Sequence, residues 1–158
     1  MQDFTLATYK KLLQELLASG YSFQTFQDFI QRPEDKTVIL RHDIDSLAGN
    51  ALVIAKIEKE ASIKASYYFR IVKESYDEDI IRQIAEMGHE VGYHYENLSE
   101  ISYLAQRRKG AKKRRIGMER GKNKEGLSEE LFELAIDDFR LNLEKLRKLY
   151  PVKTICMH

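Results

Sequence analysis

Cysteine is all but missing: Cys156 is the single one in 158 residues, so no internal disulfide can staple the chain. It lies in the run Ile155-Cys156-Met157, where the expectation is a small buried thiol with a structural role. Long hydrophobic runs are missing too. No window approaches the roughly 18 apolar residues of a spanning helix, and Met1-Gln2-Asp3-Phe4-Thr5 lacks the basic and apolar pattern of a secretory leader. A cytoplasmic, reducing location is the expectation. Nor does either charge dominate. Twenty-six basic residues against 25 acidic ones leave +1, so the overall balance gives no argument for a nucleic-acid or membrane-surface protein. What is present is a 43% hydrophobic content over a length that fits one domain, 1–158, with a real core.

Apolar spacing predicts a first helix over Thr5–Ser19, with Leu6, Tyr9, Leu13, Leu16 and Leu17 on one side and Gly20 as its stop. A second, short helix is expected over Phe26–Gln31, and Thr37–Leu40 is expected as the first core strand. Ser46 can cap a helix to about Ala61 whose buried stripe uses Leu47, Ala51, Ile54, Ala55 and Ile57. A strand over Ala65–Ile71 follows, then a helix opened by Asp77 and closed by Gly88, then a strand over His89–His94. A short helix near Ser99–Gln106 and a long one over Ser128–Leu149, with Leu131, Leu134, Ala135, Phe139, Leu143 and Leu146 inward, lead to a last strand at Lys153–Met157. Strands alternating with helices imply a parallel α/β sheet or barrel.

One stretch differs in kind. Arg107 to Lys124 holds ten lysines and arginines, three glycines and one acid, Glu119, and reads as a flexible basic insertion. As a polyanion-binding arm it lacks interleaved aromatics for base stacking, so a nucleic-acid partner is not expected.

In parallel α/β folds the functional groups gather at the carboxyl ends of the strands. Those ends carry Arg41-His42-Asp43-Ile44-Asp45, Phe69-Arg70, Tyr93-His94-Tyr95-Glu96 and Met157-His158. Each residue has a plain structural reading, as a turn former, a cap or a satisfied hydrogen-bonder. Their coincidence at several strand ends points to a site. Asp43 and Asp45 are two apart, so extended backbone turns both the same way and sends Ile44 to the core. One carboxylate can bind a cation while its neighbour acts as base to a water on the metal. His94 and His158 with one aspartate form a nitrogen and oxygen set that suits zinc or a related first-row cation. Such an ion polarises an acyl carbonyl and acidifies water, which amide or ester hydrolysis requires.

Ile39-Leu40-Arg41-His42-Asp43-Ile44-Asp45, Ala65-Ser66-Tyr67-Tyr68-Phe69 and Gly88-His89-Glu90-Val91-Gly92-Tyr93-His94 resemble, in order and spacing, the first three core segments of NodB-like polysaccharide deacetylases. The Arg-His-Asp-Ile-Asp form resembles a branch often found with bacterial surface-polysaccharide genes. The resemblance runs from about Thr37 to the end, outside the basic insertion. It implies a distorted (β/α) barrel, of which these residues form an incomplete part, and a carbohydrate esterase or amidohydrolase acting on an acetylated saccharide. It also implies that Asp43 is the catalytic base and that Asp45 and His94 hold the metal. The second histidine of that pattern would stand four residues after His94, where this chain has Leu98. Substitutes are His158, Glu96 and His89; His158 is preferred because it ends the next strand at the same rim, whereas His89 begins its strand. His42, Arg70 and Glu96 are expected to support the site or bind substrate. The same fold with a lapsed metal site, serving as a saccharide-binding or scaffold protein, is the alternative.

Overall fold

The structure is a computed structural model that describes residues 5–97, 101 and 124–157. The expected helix near Ser99–Gln106 and the basic stretch lie outside the described residues, Ile101 and Lys124 apart, as do Leu98 and His158. In chain order the elements are α1 (Leu6–Ala18), β1 (Ser22–Phe23), α2 (Phe26–Gln31), β2 (Thr37–Val38), β3 (Arg41–Ile44) and α3 (Ala48–Glu60). Next come β4 (Ser66–Phe69), α4 (Glu78–Glu86), β5 (Glu90–Tyr95), α5 (Lys124–Arg147) and β6 (Ile155–Met157).

Local signals explain most helix ends. The Thr5 and Asp77 side chains accept from the backbone N–H three residues on, capping α1 and α4. Gly20 and Gly88, at φ +78° and +91°, take the left-handed conformation that ends each of those helices. Ser46 is not a cap, contrary to expectation. Leu47 holds that place at φ +53° with no side-chain cap, and its own N–H donates to Glu74 O at 3.0 Å.

Four parallel strands form the main sheet in the order β3-β4-β5-β6. Because the order is consecutive, each crossover steps the same way and the helices gather on one face. That face is apolar. Ile44, Tyr67, Phe69, Val91 and Tyr93 pack there against Ala51 and Ala55 of α3, Ile81 and Ile84 of α4 and Leu146 of α5. A smaller cluster of Leu13, Ile57 and Ile63 fastens α1 to α3.

Three sequence expectations shift. Thr37–Val38 is not a core strand: it pairs with Ser22–Phe23 in a separate two-stranded parallel sheet. The core strand is Arg41–Ile44, in register with Ser66–Phe69, which draws Asp43 into the strand instead of leaving it in the loop beyond. Leu47 and Leu134, expected on buried stripes, are exposed, the first because it precedes its helix and turns outward. On α1 only Leu13 is buried, and Leu6 and Leu17 face solvent.

The other sheet face is polar. Register and alternation place Arg41, Ser66 and Glu90 in one row, Asp43, Tyr68 and Gly92 in the next, and His94 beside Cys156 in a third. The amino-terminal end of this face is closed. Buried Glu90 accepts from Ser66 Oγ at 2.5 Å, from Thr154 Oγ1 and from the Gln27 N–H at 3.1 Å, while the Phe26 N–H donates to Ser66 Oγ at 2.8 Å. The Tyr68 phenol, pushed up to about 12 by burial and so kept protonated, donates to Thr154 at 3.1 Å. Its ring lies over Gly92, where an added Cβ would stand 2.3 Å from Tyr68 Cε1. Gly92→Ala is therefore expected to displace that ring and lose about 1–3 kcal/mol of stability. An unchanged urea midpoint in this variant would contradict the packing described.

Candidate functional site

Among the described residues, the polar face is closed at its amino-terminal end, and its carboxyl end carries the partly exposed Asp43 and Asp45. Three donors converge there. Ligating atoms of Asp43, His94 and Cys156 all lie within 4.8 Å of one another, so these residues can hold a metal ion. His94 is buried, whereas the Asp43 and Asp45 side chains are 36% and 50% exposed on the β3 side, which leaves approach to the carboxylates open.

The two nitrogens of His94 face different partners. Nδ1 is 3.0 Å from Cys156 Sγ, and Nε2 is 3.5 Å from Asp45 Oδ1. The sulfur in turn lies 3.9 Å from Asp43 Oδ1. Arg41 grips Asp43 from its own strand, with Nε and Nη2 each donating at 2.8 Å to a separate carboxylate oxygen. A bidentate guanidinium fixes the plane of the carboxylate. The Arg41 guanidinium also sits 5.4 Å from the Tyr68 ring centre.

Donor chemistry fits a first-row divalent cation. Imidazole nitrogen, carboxylate oxygen and thiolate sulfur are the three ligand types that zinc accepts. Burial pushes the Cys156 thiol up to about 11 while Arg41 pulls the other way, so this sulfur carries its proton at neutral pH unless a cation displaces it.

The expected site residues divide between the two faces. Asp43, Asp45 and His94 come together on the polar face as alternation requires. His42 does not join them: it points to the helix face, stacks on Tyr67 and meets Glu58 Oε1 at 2.7 Å. Arg70 and Glu96 pair at 2.9 Å just past the ends of β4 and β5. His158 lies outside the described residues. His89 precedes β5 and is fully enclosed, its Nδ1 accepting from the Ala65 N–H at 3.1 Å and its Nε2 meeting Ala55 O at 3.0 Å. It ties strand to helix and faces away from the cluster.

Two residues of the site escaped the sequence reading. Cys156 was expected inside an apolar run, but alternation turns Ile155 and Met157 away from it and sets its sulfur against His94. Arg41, a charged residue beginning a motif, carries no sign in the sequence of which neighbour it grips.

Beside Asp43 a cleft of about 330 Å³ runs along the start of α3, lined in part by Arg41, Ser46, Leu47, Asn50 and Ile54. Leu47, at its rim, is a non-glycine residue in the left-handed region, a conformation that persists only where the surroundings impose it.

No protein-family model, no curated protein and no solved structure matches this chain. Fold and site together define a class: a parallel α/β protein with a candidate metal centre at the carboxyl ends of its strands. Among the described residues, no helix is long and apolar enough to cross a membrane.

Proposed function

We propose that this chain carries the catalytic face of a metal-dependent hydrolase that removes an N- or O-linked acetyl group from a surface polysaccharide or saccharide precursor, as NodB-like deacetylases do. The observation that carries the reading is the convergence of two carboxylates, Asp43 of β3 and Asp45 just past it, on the His94 imidazole at the carboxyl ends of the strands. The consecutive parallel order of the four strands supports a barrel-type architecture. A divalent cation held at His94 would supply carbonyl polarisation and acidified water.

The chain's own residues do the rest. On the roles implied by the resemblance, Asp43 takes the proton of the attacking water, and Arg41 holds that carboxylate in one orientation. On the same roles, Asp45 and His94 would hold the cation. The cleft beside Asp43 offers the Ser46 hydroxyl and Asn50 amide together with the apolar Leu47 and Ile54, a mixture that suits a sugar ring with its hydroxyls and carbon faces. Stripping the protein with a chelator is expected to abolish acetate release from an acetylated saccharide, and zinc or cobalt to restore it. Release that persists after chelation would exclude the metal-dependent reading.

A second reading, a saccharide-binding protein of the same fold with lapsed chemistry, is favoured by one observation. Arg41 occupies both oxygens of Asp43, which a working base must partly release. Saccharide binding without acetate release, at any metal loading, would support it.

A further inference from the structure

We infer, resting on the metal-centre reading above, that Cys156 is itself a metal ligand and that the ion sits on the Nδ1 side of His94 with Asp43 as its oxygen donor. One ion can use only one edge of an imidazole. The Nδ1 edge faces Cys156 Sγ at 3.0 Å, and Asp43 Oδ1 is 3.9 Å from that sulfur. Donors about 2.0–2.3 Å from one tetrahedral ion stand roughly 3.4–3.6 Å from each other; those two separations lie on either side of that range and all three donor atoms are within 4.8 Å of one another, so side-chain adjustment can close the site on an ion. A ligating carboxylate can keep its other hydrogen bonds, and the Arg41 contact to Asp43 is of that kind.

The Nε2 edge then finds its own explanation. Ligating histidines commonly give their other ring N–H to a carboxylate, which fixes the tautomer and the ring orientation. Asp45 Oδ1, 3.5 Å from Nε2, occupies that position. The roles of the two aspartates therefore differ from those of the resemblance: Asp43 binds the ion, and Asp45, just past β3, is a positioning residue acting through His94. Cys156 takes the ligand place that Leu98 leaves vacant in the sequence pattern. A sulfur ligand also selects thiophilic cations such as zinc and cobalt over magnesium or calcium.

Titration of the metal-stripped full chain with cobalt(II), followed by absorption, tests this directly. A thiolate bound to cobalt gives a near-ultraviolet charge-transfer band, and Cys156 is the chain's single cysteine, so no other residue can produce it. The wild type is expected to develop the band to saturation at one equivalent. Cys156→Ser, with unchanged far-ultraviolet circular dichroism, should lose the band and bind cobalt at least tenfold more weakly. Asp45→Asn should keep the band while binding about 10–100-fold more weakly. Saturable cobalt binding without the band, equally tight in Cys156→Ser, would overturn the inference and leave the His94–Asp45 reading standing. No cobalt binding at all would overturn both.

Discussion

Replacing Glu58 by alanine should destabilise the fold by about 3–5 kcal/mol, the usual cost of breaking a buried charged network by removing one partner. Against a total of about 5–15 kcal/mol for a typical domain, that is a large share. Glu58 lies on α3 with no solvent exposure and gathers hydrogen bonds from three elements: Tyr9 Oη of α1, Tyr67 Oη of β4 at 2.6 Å and His42 Nε2 of β3 at 2.7 Å. Truncation strands all three polar groups on the helix face of the sheet. Tyr67→Phe, which removes a single donor, should cost only about 0.5–1.5 kcal/mol. Urea midpoints check both. A Glu58→Ala variant as stable as the wild type would show that this network does not hold α1 and α3 to the sheet.

The same network sets an acid limit. Burial pushes the Glu58 carboxyl up, but hydrogen bonds from His42, Tyr67 and Tyr9 outweigh it and hold the group below its ordinary value. Its contribution is therefore present above the unfolded value of about 4.3 and lost as pH falls through the folded one. Burial lowers His89 as well, and its Nδ1 already accepts the Ala65 N–H, so protonation must break that bond. Stability should thus begin to fall below about pH 6.5, the unfolded histidine value, and fall again in the carboxylate range.

On the base role implied by the resemblance, Asp43→Asn should lower acetate release by about 10²–10⁴-fold, the range for loss of a general base. Asparagine is nearly isosteric, but it cannot take a proton at neutral pH and it offers Arg41 one acceptor oxygen where the carboxylate offers two. On the ligand role inferred above, the same substitution weakens the cation site, and cobalt affinity falls together with turnover. Turnover that falls while affinity is kept assigns the base. Unchanged turnover removes Asp43 from the chemistry altogether.

Much of the architecture is legible in the sequence because the determining signals are local. Asp77 and Gly88 bracket α4, and alternation within Arg41–Ile44 and Glu90–Tyr95 sorts each side chain to its face. The Gly88–His94 segment can be read residue by residue. Gly88 ends a helix, His89 ties β5 to its neighbours, Glu90 seals the polar face, Gly92 admits the Tyr68 ring and His94 reaches the cluster. What stays hidden depends on contacts between distant parts of the chain. Glu58, flanked by Lys56, Lys59 and Glu60, reads as part of a solvated helix face, and only the arrival of Tyr9 and His42 makes it a core residue. The pairing of Ser22–Phe23 with Thr37–Val38 has too few residues to leave a pattern. Cys156 opposite His94 depends on a register set by packing across 62 residues of sequence.

Calorimetric titration of the stripped protein with zinc tests the metal centre at His94 most directly. The wild type is expected to bind one equivalent, and His94→Ala, which removes the imidazole shared by both candidate ligand sets, to bind none while remaining folded. A wild type that takes up no zinc, or a His94→Ala variant that binds it as tightly, would contradict the account.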